Sequence, residues 1–177
     1  MHTLQFDGML QTMKQNPGRI GLLGYGWLIQ RNGIEIAHGF GIFVKSGVLG
    51  SNVAEYLSLI EGLEALADLE IRDEAIEIRG DAKCVIDQMK GDASVSSSIT
   101  RKLSQRARHL LRRFTSPTWV WVPRGLNKQA DALSRRGLRY LHCSSTGKSW
   151  GEVQKIPFHG EVLIPVVNLR VHSKANR

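Results

Sequence analysis

Along residues 51–70, SNVAEYLSLIEGLEALADLE, apolar side chains return at about 100° per residue. Tyr56, Leu57, Leu59, Ile60, Leu63, Leu66 and Ala67 make a broad apolar band, and Glu61, Glu64 and Asp68 gather on the opposite side. This pattern predicts an amphipathic helix with Asn52 as its N-cap. Elsewhere the period is two. TLQFD at residues 3–7 alternates and ends at Asp7, and 74-EAIEIRGD-81 alternates with Ile76 and Ile78 on one face and ends at Asp81. GLLGYGWLIQ and GIEIAHGFGIFV read as two strands joined through Arg31-Asn32-Gly33, whose Asn-Gly pair favours a tight hairpin. Their many glycines predict strands lying flat under another element, or bulges. NPG at residues 16–18 predicts a turn.

The remaining segments complete the order. AKCVIDQMKG predicts a short helix with Val85, Ile86 and Met89 on one side, and GDASVSSSI a loop leading into the amphipathic helix TRKLSQRARHLLRRF. SPTWVWVP predicts a strand between prolines, and LNKQADALSRRGLRYL a final helix capped by Asn127. Three strands, a helix, a strand, two helices, a strand and a helix imply a mixed sheet with helices on both faces, an α/β fold. Residues 1–141 read as one domain and 142–177 as a C-terminal extension of unassigned role, in which GEVLIPVVNLRV with its central proline fits an edge strand.

Composition narrows the classes. The 177 residues carry 24 Lys and Arg against 16 Asp and Glu, a net charge of +8 that suits a polyanionic partner. No apolar run reaches membrane-spanning length and no signal-peptide pattern opens the chain, so a soluble cytoplasmic protein is expected. Cys84, in an apolar helical stretch, and Cys143, in a polar one, belong to no Cys/His spacing; zinc is not expected, and a reducing compartment is.

Glu55 lies at the edge of the apolar band of its helix, away from the other acids. One role for it is a capping box with Asn52, reaching back to a free backbone amide. Asp7-Gly8 could likewise be a turn, Asp81 a cap for the next helix, and Asp131 a complement to a helix dipole. Taken together the four suggest more. If the first, fourth and fifth strands are neighbours, strand ends and helix starts converge at one edge of the sheet, where open α/β sheets place ligands. Carboxylates at about 4 Å repel by roughly 4 kcal/mol per pair at an effective dielectric near 20, so a cluster of them calls for a counter-charge. An all-oxygen set selects Mg²⁺ or Mn²⁺, and two such ions suit phosphodiester cleavage.

FDG, NPGRIGLLGYGWLI, SNVAEYLSLIEGLEAL, IRGDAKCVIDQMKG and WVPRGLNKQADALSRRGL, taken in order, resemble the type 1 ribonuclease H family over residues 3–141. The most specific of these is the last, a tryptophan strand followed by Val-Pro-Arg and then Asn-x-x-Ala-Asp-x-Leu. The resemblance implies a ribonuclease H-like five-stranded mixed sheet flanked by helices. It also implies hydrolysis of the RNA strand of RNA/DNA hybrids, with 5′-phosphate and 3′-hydroxyl products. Asp7, Glu55, Asp81 and Asp131 would be the catalytic metal ligands for two Mg²⁺ or Mn²⁺ ions. Asp7 would bridge the ions, Asp131 would complete the one that activates water, and Glu55 and Asp81 would hold the one beside the leaving oxygen.

Asn52 matches the amide that touches the RNA sugar edge. Ser51, Gly8 and Asn127 are further expected substrate contacts, although for Ser51 capping is the simpler role. Arg106 and Arg113 lie on a basic helix face, Arg101 to Arg113, that has no acid of its own and is expected to grip DNA phosphates. Several features depart from the family pattern. The segment after Asp7 is long and carries Met9, and Gly50 stands where a threonine is common. No histidine lies between Trp119 and Asp131, which leaves Arg124 or Lys128 to assist, and the basic protrusion is missing, as in the family's shorter branch. A DEDD-type exonuclease would carry Asp-x-Glu where this chain has Asp7-Gly8-Met9, and a silent binding module would lack one of the carboxylates. A monomer is expected, with the C-terminal extension as the place where a second copy could join.

Overall fold

The computed structural model describes residues 1–12, 20–46, 50–71, 74–144, 156–158 and 161–166. The turn expected at residues 16–18 lies outside them. Strands β1 (His2–Thr12), β2 (Ile20–Arg31) and β3 (Ile34–Ser46) form an antiparallel meander. The β2–β3 turn has Asn32 at φ 51° and Gly33 at φ 81°, the paired positive values that an Asn-Gly hairpin supplies. Helix α1 (Ser51–Asp68) follows, then β4 (Ile76–Gly80), α2 (Lys83–Lys90), α3 (Ser98–Leu111), β5 (Pro117–Trp121), a 3₁₀ turn at Arg124–Leu126 and α4 (Lys128–Ser144). Only residues 91–97 separate α2 from α3, so no protruding helix intervenes. Cys84 is an exposed free thiol in the first turn of α2, not part of its apolar side.

The sheet order is β5-β4-β1-β2-β3-β7-β6. β4 pairs in parallel with both β1 and β5, which makes the expected first–fourth–fifth neighbourhood. The ribonuclease H-like mixed sheet of five strands is extended by two more from the C-terminal segment, β6 (Ile156–Phe158) and β7 (Glu161–Val166). β7 is not the edge strand expected. It pairs with β3 from Phe40 to Val44, and β6 covers part of its other side. Pro165 lies past the stretch that β6 covers, so its missing N–H leaves no gap there.

Alternation along β1 and β2 divides the core. Leu4, Phe6, Trp27 and Ile29 are buried with Tyr56, Leu59, Leu63 and Leu66 of α1. The opposite face receives α4, whose seat is made by glycines. A Cβ on Gly24 would lie 2.4 Å from the Ser134 carbonyl oxygen, and one on Gly26 would lie 2.4 Å from the Ser134 nitrogen. Any side chain at either position would push α4 off the sheet. The glycines of β3 serve a different purpose, since Gly39 and Gly41 make room for the rings of Trp27 and Tyr25.

Candidate active site

Asp7 does not end its strand. β1 runs on to Thr12, because β2 continues to pair with it after β4 has stopped. The last β1–β4 partners are Phe6 and Gly80, so Asp7 and Asp81 are the next residues on two diverging strands. The fork between them is the crevice that a parallel pair opens at its carboxyl end. Gly8 is a strand residue, not a turn. A Cβ there would meet Ala54 and Glu55 backbone at 2.3 Å, so its lack of a side chain lets the start of α1 close over β1.

That approach brings Glu55 into the fork. Gly50 is the residue before the helix and no side chain caps it; Asn52 is already inside the first turn. The capping box therefore does not form, and neither Ser51 nor Asn52 is a cap. Glu55 is buried, receives the Gly8 backbone N–H, and leaves Oε2 without a partner. One ligand atom from each of Asp7, Glu55 and Asp81 lies within 4.8 Å of the other two.

Burial sets the electrostatics here. It pushes the Asp7 carboxyl up to about 6; the Ser134 hydroxyl opposes the shift, and Asp81 and Asp131 add to it. Burial, then the charges of Asp7 and Asp81, hold Glu55 well above the ordinary carboxylate range. Three crowded carboxylates, one with an orphaned buried oxygen, fit a hard divalent cation by donor chemistry.

Asp131, in the first turn of α4, stands outside that triad. Arg124 donates to its Oδ1 at 2.6 Å, and Arg135 donates to Oδ2 at 2.7 Å and to Oδ1 at 3.3 Å. Burial works to raise its pKa, but the hydrogen bonds from Arg135 and Arg124 prevail and hold it below the ordinary value. Asn127 is fully buried, and its Nδ2 donates to the Phe6 carbonyl at 2.8 Å and to Asp81 Oδ1 at 3.0 Å. Its side chain is thus neither a helix cap nor a substrate contact, because it faces inward and ties β1 to Asp81.

The other expected contacts are spread more widely. Asn52 is half-buried and donates to Cys84 Sγ at 3.4 Å, and Ser51 is exposed. Arg106 is not without an acidic neighbour, as its own helix suggested: Glu64 of α1 pairs with it at 2.5 Å. Glu64 lies nine residues beyond Glu55, about 14 Å along α1. Arg113 is exposed in the turn after α3. Sequence reasoning missed Ser134 and Arg135, although both follow Asp131 at helical i+3 and i+4 spacing. It also missed Trp121, whose Nε1 donates to the Asp81 carbonyl at 3.0 Å.

The family described as "Reverse transcriptase-like" matches residues 5–137. The chain is 37% identical over 134 residues to ribonuclease HI of Halobacterium salinarum, covering 75% of this chain and 62% of that one. It is 37% identical over 84 residues to a bifunctional protein of Mycobacterium tuberculosis, of which it spans only 22%. Among solved structures, RNase H1 of Halobacterium salinarum superposes with a TM-score of 0.66 at 34% identity, covering 78% of this chain and 98% of that one. The N-terminal RNase H domain of the Mycobacterium tuberculosis protein gives 0.66 at 26% identity, covering 82% and 99%. LC11-RNase H1, solved in complex with an RNA/DNA hybrid, shares the fold with a TM-score of 0.68 at 23% identity, covering 80% and 99%. With a fork of carboxylates where those proteins share its fold, this chain belongs to the reverse transcriptase-like family and, within it, to the type 1 ribonucleases H.

Proposed function

We propose that the chain is an endoribonuclease that hydrolyses the RNA strand of RNA/DNA hybrids, leaving 5′-phosphate and 3′-hydroxyl ends. The observation that carries this is the convergence of Asp7, Glu55 and Asp81 at the β1–β4 fork, with one buried oxygen of Glu55 unpartnered. Asp7, Glu55 and Asp81, with Asp131 as the fourth carboxylate, would hold two Mg²⁺ or Mn²⁺ ions. When bound, such ions supply the charge that activates water and neutralises the leaving oxygen.

The protein's own groups do the rest. Asn127 fixes the Asp81 carboxylate from behind. Arg124, which donates to Asp131 at 2.6 Å, takes the assisting role that the family gives to a loop histidine, in preference to Lys128. Asn52, at the lip of the fork, offers its amide to the RNA minor groove, where 2′-hydroxyls mark RNA. Ser51 and the Gly8 backbone would add further contacts, and Arg113 would contribute positive charge for the DNA strand. Residues 1–141 carry this chemistry, and β6 and β7 of the C-terminal extension add to the sheet. No helix among the described residues is long and apolar enough to cross a membrane. The same reading places the chain in the cytoplasm, as a monomer.

The test is incubation with labelled RNA/DNA hybrid, duplex RNA and duplex DNA, each with Mg²⁺, Mn²⁺ or chelator. Internal cuts confined to the RNA of the hybrid, and abolished by chelator, are expected. Cutting of duplex DNA, or of nothing under any condition, overturns the proposal.

A further inference from the structure

Ser134 is a serine with no exposed surface, on the face of α4 that lies against the sheet. Its Oγ is 2.5 Å from Asp7 Oδ2 and 2.9 Å from the Asp131 carbonyl oxygen. A hydroxyl has one proton to donate. Of these two acceptors the carboxylate is the stronger, because a hydrogen bond to a charged oxygen is roughly twice as strong as a neutral one. The proton therefore belongs to Asp7.

This contact depends on how closely α4 sits. Gly26 is the cross-strand partner of Asp7, and the Ser134 backbone occupies the space that side chains on Gly24 and Gly26 would fill. A helix displaced by the width of a methyl group would lose the hydrogen bond. The Asp7 backbone is fixed separately, by strand pairing and by its N–H to Ser58 Oγ at 3.4 Å. What strand pairing leaves free is rotation of the side chain. In a carboxylate the two oxygens are rigidly related, so fixing one sets the aim of the other.

We propose that Ser134 is a positioning residue for the cation site. By holding one oxygen of Asp7 toward α4, it fixes the carboxylate plane and presents the group to the space shared with Glu55 and Asp81. This rests on the proposed function only in taking that space to be a cation site. Its consequence is that cation affinity depends on a hydroxyl that itself never touches the ion.

The measurement is Mn²⁺ binding to the substrate-free protein, by calorimetry or electron paramagnetic resonance, alongside the melting temperature. Ser134→Ala removes one oxygen and leaves the backbone seat intact; its Kd is expected to rise about tenfold, as for loss of one charge-assisted hydrogen bond. Ser134→Thr keeps the hydroxyl, so its Kd stays within about threefold of the parent, whatever the added methyl does to the melting temperature. Ser134→Cys, a weak donor of similar shape, falls between. A folded Ser134→Ala protein with unchanged Kd overturns the proposal, as does a Kd that follows melting temperature across the series. A parent chain that takes up no Mn²⁺ overturns the proposed function along with it.

Discussion

The side-chain amide of Asn127 donates to the carboxylate of Asp81 at 3.0 Å, across 46 residues of chain. The same nitrogen reaches the Phe6 carbonyl, so one buried amide joins β1, the end of β4 and the start of α4. Asn127→Ala leaves a buried carbonyl and a carboxylate short of a donor. We expect a loss of about 2–4 kcal/mol in denaturant unfolding. Asn127→Asp should cost more, since it sets a second carboxylate against Asp81. A loss below about 0.5 kcal/mol for the alanine variant would mean that the contact is incidental.

Glu55→Gln and Asp81→Asn keep side-chain shape and remove one charge each. Both should abolish cleavage of a hybrid while the protein stays folded. Glu55→Gln carries a second expectation. At pH 7 the buried Glu55 carboxyl is held well above its ordinary pKa by burial and by Asp7 and Asp81, so a neutral replacement relieves that strain. The cation-free variant should melt higher than the parent. A lower melting temperature with cleavage preserved would restore the capping role that the helix start otherwise denies it.

The same shifts fix a pH dependence. Asp7 titrates near 6 when folded and Glu55 is raised well above the ordinary range, so between the unfolded and folded values the folded chain binds more protons than the unfolded one. Stability of the cation-free protein should therefore be greatest below about pH 4 as far as these groups go, and be lost as pH rises through 6. Glu61, pushed to about 7 by burial and then by Glu64, acts in the same direction. Asp131, held low by its arginines, acts oppositely but only below its ordinary value, so it does not offset the fall. Melting curves from pH 4 to 8 with and without Mg²⁺ check this. With Glu61→Gln removing its share, the remaining decline should be absent when Mg²⁺ is present; a decline of the same size in both conditions would sink the assignment.

Substrate grip can be read from salt. Each phosphate neutralised contributes about −0.9 to the log–log slope of binding on duplex DNA, a rough guide for a hybrid. Arg113 is exposed, whereas Arg106 is engaged by Glu64. Arg113→Gln should therefore flatten the slope by up to about one unit, and Arg106→Gln by less, with the rate at saturating substrate nearly unchanged in both. Identical slopes in the parent and both variants would make this helix face a solvated surface only.

Much of this was legible in the chain because hydrophobic periodicity is local. The element order, the Asn-Gly hairpin and the glycine-lined strands all appear as the pattern predicts. What escaped was set by neighbours distant in sequence. Asp7 looked like a strand end because apolar alternation stops there, yet β2 keeps pairing to Thr12. Glu55 fitted a capping box by spacing, but the helix starts two residues too early for Asn52 to cap it. The basic face of α3 looked unbalanced because its acid is on α1. Ser134 resembles any small helix residue until the Gly24–Gly26 seat places it against Asp7.

The closeness of α4 to β2 also bears on when the activity can appear during synthesis. Asn127 and Ser134 meet β1 across 121 and 127 residues, so those contacts cannot form until the last helix has cleared the ribosome. Before then a nascent chain can bring Asp7, Glu55 and Asp81 near one another, but with nothing to tie Asp81 or orient Asp7. Activity would arise late and in one step, long after most of the sheet has been made. Ribosome-bound chains stalled with residue 120 just emerged should leave a hybrid intact, and those released beyond residue 144 should cut it.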